Sequence, residues 1–115
     1  MSDTSMTAEL QQLDKALRFA RENLSADITA QRLLILISVY FHEGLSQREL
    51  LKFLDSTSIT ALSRNIADLS ALTTKKLQGP SLLELRVDPL NLRVKRVFLT
   101  PKGKRFMQRW FKALS

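Results

Sequence analysis

The stretch QRLLILISVYF, Gln31 to Phe41, constrains this chain more than any other. It is apolar nearly all round, and a helix with no polar face belongs in the middle of a core. The remaining elements must then be short and amphipathic, so that each lays one side against it. The segment SADITAQ before it supplies a break, with Thr29 or Asp27 placed to cap. The stop is HEG, where Gly44 can take the left-handed conformation that ends helices. Its longest apolar run, Leu33 to Phe41, falls far short of the roughly 20 residues that cross a bilayer. No membrane partner is expected, and no secretion-signal pattern opens the chain, so the cytoplasm is the expected location.

The other elements follow from spacing. Residues 1–5 read as a loose tail. Over 6–24, Met6, Leu10, Leu13, Leu17, Ala20 and Leu24 recur at steps of three and four, drawing one apolar stripe along a helix. Nothing nearby in sequence covers that stripe. SQRE, Ser46 to Glu49, fits a capping box, in which Ser46 accepts from the third helical amide and Glu49 reaches back. A short helix then runs to about Leu54. Asp55 to Ser58 are turn and cap residues, after which Ile59, Leu62, Ile66 and Leu69 repeat at helical spacing. The opposite face of that helix holds Thr57, Thr60, Ala61, Arg64 and Asp68. Leu82–Val87 and Val94–Thr100, separated by a turn with Pro89 and Asn91, read as a hairpin. Pro101 ends it, and residues 102–115 restart as a helix with Phe106, Trp110 and Leu114 at spacing four.

Charge separates the parts. Residues 1–40 hold four Lys/Arg against five Asp/Glu, whereas residues 41–115 hold fourteen against six, so the net +7 is −1 in the first part and +8 in the second. The densest cluster, NLRVKRVFLTPKGKR, surrounds the hairpin's second strand. Like charges repel, so a purely structural hairpin has no reason to collect them, and an anionic partner is implied.

Catalysis finds little support. The chain has no cysteine, which removes disulfides, thiolate zinc sites and cysteine nucleophiles together. His42 is its one histidine, and Gly44, Gly79 and Gly103 are too isolated for a phosphate loop. No enzyme activity, cofactor or metal is expected.

Helix, short helix, turn, helix and hairpin, in that order, make a winged helix-turn-helix: mainly α with a small β-hairpin, about five helices plus a two-stranded wing. One domain over 1–115 is expected, with the helix-turn-helix at 46–70 and the wing at 82–100. Two helices that brace each other leave the second free to lie in a major groove, while a basic hairpin reaches phosphates or the minor groove. The run NLRVKRVFLTPKG resembles the wing signature of MarR-type winged-helix regulators, with Arg93, Val97, Leu99, Thr100 and Gly103 at matching positions. SQRELLKFL and SITALSRNIADL resemble that family's third helix and recognition helix, and ITAQRLLIL the start of its second. The likeness covers roughly Thr29 to Gly103. Asn91 stands where the family has the aspartate that orients the wing arginine, and only one short helix follows the wing where the family builds its dimer from long ones.

The expectation is thus a small transcriptional regulator that binds double-stranded DNA as a homodimer. Its contact residues would be Ser46, Gln47 and Arg48 at one helix start, Thr57, Ser58, Thr60, Ala61 and Arg64 on the recognition helix, and Arg86, Arg93, Lys95 and Arg96 on the wing. Arg64 is placed to read a base, guanine if bidentate. The dimer contacts would be Leu10, Leu13, Leu17, Phe106, Trp110 and Leu114. The alternative is a winged-helix interaction module docking on an acidic partner protein, since a fold does not fix a function.

Overall fold

A computed structural model describes residues 3–55 and 57–112. Its elements are α1 (Asp3–Asn23), α2 (Ala30–Phe41), α3 (Gln47–Leu50) continued by a 3-10 turn (Leu51–Phe53), α4 (Ile59–Asp68), β1 (Leu83–Asp88), β2 (Asn91–Leu99) and α5 (Pro101–Lys112). The chain divides into two compact units. One holds α1 with the α5 residues from Arg105 on, and the other runs from Thr29 to Lys104.

The larger unit packs against α2 but does not surround it as its apolar sequence leads one to expect: Leu34, Tyr40 and Phe41 are 51%, 47% and 68% exposed, because the short elements that lie on the helix cover one side of it. Leu33, Ile35, Leu36 and Val39 are buried, and the Thr29 hydroxyl caps the helix by accepting from the Arg32 amide at 3.2 Å. Gly44 has φ of +89°, so the chain turns there at little strain. It leaves the turn as an extended segment that pairs with β2: the Gly44 amide donates to the Val97 carbonyl and the Val97 amide to Leu45, each at 2.9 Å. The hairpin thereby gains a third edge that periodicity does not reveal.

Both caps of the helix-turn-helix are present. The Ser46 hydroxyl accepts from the Glu49 amide at 3.1 Å while the Glu49 carboxylate accepts from the Ser46 amide at 3.2 Å. Ser58 caps α4 by accepting from the Ala61 amide at 3.0 Å. The apolar edge of α4 is inside, with Leu62 and Ile66 fully buried.

The wing end, Val97 to Gly103, has a local physical explanation. Val97 and Leu99 point into the core, and Thr100 donates its hydroxyl hydrogen to the Ser81 carbonyl at 2.6 Å while accepting from the Gly103 amide at 2.9 Å. A Cβ on Gly103 would stand 2.1 Å from the Leu82 carbonyl oxygen, so only glycine lets α5 begin this close to the strand. Pro101 is the first residue of α5, where its missing amide hydrogen costs nothing.

Three expectations change here. The chain expected as a tail is helical from Asp3, because an apolar stripe marks where burial can begin and not where backbone hydrogen bonding does. The turn is the pair Pro89–Leu90, so Asn91 to Arg93 belong to β2. Asp68 is no open-face residue: its carboxylate takes the Arg32 guanidinium at 2.7 Å and both the amide and hydroxyl of Thr74 at 2.9 Å. Burial pushes its pKa up, but those hydrogen bonds and the Arg32 charge outweigh it and hold the carboxyl below its usual range.

In the smaller unit the buried side of α1 is Ala16 and Ala20, with Phe19 half-buried beside them. Phe19 lies 5.7 Å from the Phe106 ring, and the Trp110 indole donates to the Ala16 carbonyl at 2.9 Å. Phe106 and Trp110 are therefore intrachain core, not free interface residues. Bulky aromatics on α5 need small partners, so α1 turns its alanines inward. The leucine stripe then lies about a quarter turn away. Met6, Leu10, Leu13 and Leu17 remain 45–58% exposed. Leu114 lies outside the described residues.

Candidate nucleic-acid interface

The start of α3, one side of α4 and the base of the wing converge on an open cleft of about 440 Å³, lined by Ser46, Gln47, Arg48, Ile59, Ser63, Arg93, Val94 and Lys95. Five of the twelve residues singled out from sequence for DNA contact are thus brought to one surface. Gln47 accepts from the Ser63 hydroxyl, which ties α3 to α4 across the turn. Arg48, Arg93 and Lys95 are exposed and form no ion pair with a described residue. Their positive charge faces solvent uncompensated, beside a single-turn helix whose own dipole is too short to add much.

On α4, Thr60 and Arg64 are exposed and Ala61 half-buried; just before it Thr57 is half-buried and the Ser58 hydroxyl accepts the capping hydrogen bond. Thr60 and Ala61 sit on the first turn and Arg64 one turn further. This presents small side chains first and a long fork behind them.

The wing arginines divide. Arg96 is half-buried, and its guanidinium holds the Asp88 carboxylate at 2.9 and 3.1 Å, the Gly44 carbonyl at 2.9 Å and the Glu49 carboxylate at 3.5 Å. It fastens the wing to the segment before α3, and its donors face inward. A hydrogen bond from the Leu90 amide, then the Arg96 fork, holds the Asp88 carboxyl below its usual range. The Ser46 amide, more than the distant Arg96, does the same for Glu49. Arg86 lies 4.1 Å over the Phe98 ring and its Nε donates to Glu84 at 3.0 Å, so it is braced along β1 although exposed. Arg93 has no such brace; Asn91 accepts only from its backbone amide, at 3.2 Å. The carboxylate that sequence reading misses beside Arg93 is thus supplied elsewhere, by Asp88 to Arg96.

Sequence reasoning missed the Arg32–Asp68–Thr74 network and the Arg96 clamp. The first joins residues 36 apart and the second reaches 52 positions back to Gly44, separations that leave no periodic trace. Among the described residues no group of His, Asp and Glu could hold a metal ion, and no helix is long and apolar enough to cross a membrane.

No family profile and no curated protein matches the sequence. Solved structures do match in fold. A mutant MarR from E. coli complexed with operator DNA is 26% identical with a TM-score of 0.64, over 90% of this chain and 69% of that one. The S. aureus MepR–DNA complex is 23% identical with a TM-score of 0.67, over 97% and 82%. CouR, a transcriptional repressor bound to a 23-mer DNA duplex, is 18% identical with a TM-score of 0.65, over 96% and 70%. These neighbours are MarR-family winged-helix transcription regulators, and the fold of this chain is the winged helix they share.

Proposed function

We propose that this chain is a double-stranded DNA-binding transcription regulator, one winged helix-turn-helix domain working as a homodimer in the cytoplasm, and not an enzyme. The observation that carries the reading is the cleft where α3, α4 and the wing meet, walled by the unpaired cations Arg48, Arg93 and Lys95. A basic concave surface beside an exposed helix face suits a duplex, whose phosphates take the cations while the groove takes the helix. The fold neighbours solved on DNA support it.

The roles follow from what each side chain is free to do. Arg48, Arg93 and Lys95 neutralise phosphates. Thr60, Ala61 and Arg64 face the major groove, with Gln47, Thr57 and Ser58 at its edge. Ser46 and Arg96 position the helix start and the wing, and Arg86 stiffens β1. With about four phosphates neutralised per chain, log K falls with log salt at a slope of roughly −3.6.

For self-association we assign the exposed leucines of α1, Leu10, Leu13 and Leu17. Three large apolar side chains in one row are an unusual feature to leave in water, and a second copy offers the same row in return.

Selection of bound fragments from a random duplex library at near-physiological salt tests the reading. An enriched motif is expected, as an inverted repeat whose half-sites lie about one helical turn apart. Recovery of unenriched sequence would overturn it and point to an acidic protein surface as the partner.

A further inference from the structure

The most exposed large apolar residues among those described are not on α1 but at the wing tip: Leu90 is 95% and Leu92 74% exposed. Neither has a structural task there. A two-residue hairpin turn is served best by small or polar residues, and a leucine with almost no contact adds only an unfavourable hydrated surface.

The tip is nevertheless held. The Asp88 carboxylate accepts from the Leu90 amide at 2.8 Å and is itself gripped by Arg96, while the Asn91 side chain accepts from the Arg93 amide. Val87 pairs with Lys95 but Asp88 pairs with Asn91, so Leu92, Arg93 and Val94 bulge from the ladder with no opposite residue on β1. Such a bulge re-aims side chains. The result is a narrow projection bearing two leucines at its end and the cations Arg93 and Lys95 at its base.

We infer that Leu90 and Leu92 form an apolar wedge that enters the minor groove of the bound duplex, with Arg93 and Lys95 on the flanking phosphates. The inference rests on the DNA-binding reading above and adds what the tip does within it. Charge complementarity supports a polyanion as the occupant, because the apolar end emerges from a cationic base. Continuity supports a duplex, because Arg93, Val94 and Lys95 belong to the same cleft as the α3 and α4 residues. A lipid surface fits less well, since two leucines offer far less apolar area than a stable anchor needs. In a minor groove an apolar side chain packs on sugar edges and partly unstacks a base step, which bends the duplex toward the protein. It also selects against the guanine amino group that fills the groove floor at G·C pairs.

The test measures binding of the full chain to poly(dA-dT), poly(dI-dC) and poly(dG-dC) duplexes, and of a Leu90→Ser/Leu92→Ser variant to the same three. Inosine presents the major groove of G·C but lacks the minor-groove amino group. The wild type is expected to bind the first two duplexes more tightly than the third. The variant should lose about tenfold or more on those two and with it the preference, at an unchanged salt slope because no charge is removed. Both positions are solvent-exposed, so an unchanged circular dichroism spectrum is expected alongside. Equal affinity of variant and wild type on all three duplexes would overturn the wedge and leave the DNA-binding reading standing. A wild type that binds none would overturn both. A variant that keeps duplex affinity but no longer sediments with phosphatidylserine vesicles would give the tip to a membrane surface instead.

Discussion

Helices α1 and α4 carry the same kind of signal in sequence and meet opposite fates. Each has apolar residues at steps of three and four. In α4 the stripe is covered, with Leu62 and Ile66 wholly buried, and it is the other face that looks outward. In α1 Met6 and the leucines Leu10, Leu13 and Leu17 of the stripe look outward, while its Ala20 is buried and holds the helix together with Ala16 and Phe19. Periodicity therefore shows that a face is sticky but not what it sticks to. Where the chain has something that fits, the stripe becomes core; where an aromatic pair demands small neighbours, the stripe is left over.

That contrast can be broken most directly by truncation. Ile66→Ala should cost about 2–5 kcal/mol of unfolding free energy, because it opens a cavity in a packed core. Leu13→Ala should leave the monomer within about 0.5 kcal/mol of wild type. Denaturant titration of both, extrapolated to infinite dilution of protein, would erase the distinction if the losses came out alike.

The α1 stripe has its own test. Leu13→Glu places a charge in the middle of the proposed self-association face and should convert a sedimenting dimer to a folded monomer. A wild-type chain that already sediments as a monomer at high concentration would leave the stripe without its partner copy.

The outward face of α4 is sharpened by Arg64→Ala, expected to cost about 1–3 kcal/mol at a selected site if the side chain reads a base. Comparison with random duplex decides the role, since an equal loss on both would make Arg64 a phosphate contact. Ser58→Ala removes the α4 cap and should cost about 1 kcal/mol in stability, read by denaturant titration.

The smallest effect expected is acid sensitivity at the end of α4. Folding holds the Asp68 pKa below its unfolded value, so its contribution is fully present above about pH 4 and is lost as pH falls through the lowered folded value. Asp68→Asn should flatten that acid limb of the melting temperature. An unaltered limb would show that Arg32 and Thr74 do not depend on the carboxylate.

Local chemistry was legible along the chain. Thr29 and Ser58 cap their helices, the Ser46–Glu49 box closes, and Gly44 turns left-handed. Each needs only residues a few positions apart, or a backbone conformation that one residue type permits. Much of the candidate interface was legible for the same reason, since Ser46, Gln47, Arg48, Arg93 and Lys95 reach one cleft once the element order is right.

What sequence could not separate were side chains of equal charge and opposite duty. Arg93 and Arg96 are three positions apart on one basic strand, yet Arg96 turns its fork on Asp88, Gly44 and Glu49 while Arg93 has no ion pair with a described residue. The same holds for Asp68, read as an open-face residue until Arg32 is brought to it from 36 positions away.

By itself, then, the sequence determined the order of elements, their caps and turns, and the basic character of the half that bears the cleft, because these depend on neighbours in the chain and on composition. Tertiary structure alone decided which arginine is a clamp and which has no ion pair with a described residue, and which apolar stripe is core and which is surface. The reason is that hydrogen-bond partners and packing volumes are supplied by residues far apart in sequence, and a charge or a leucine carries no mark of the neighbour it will meet.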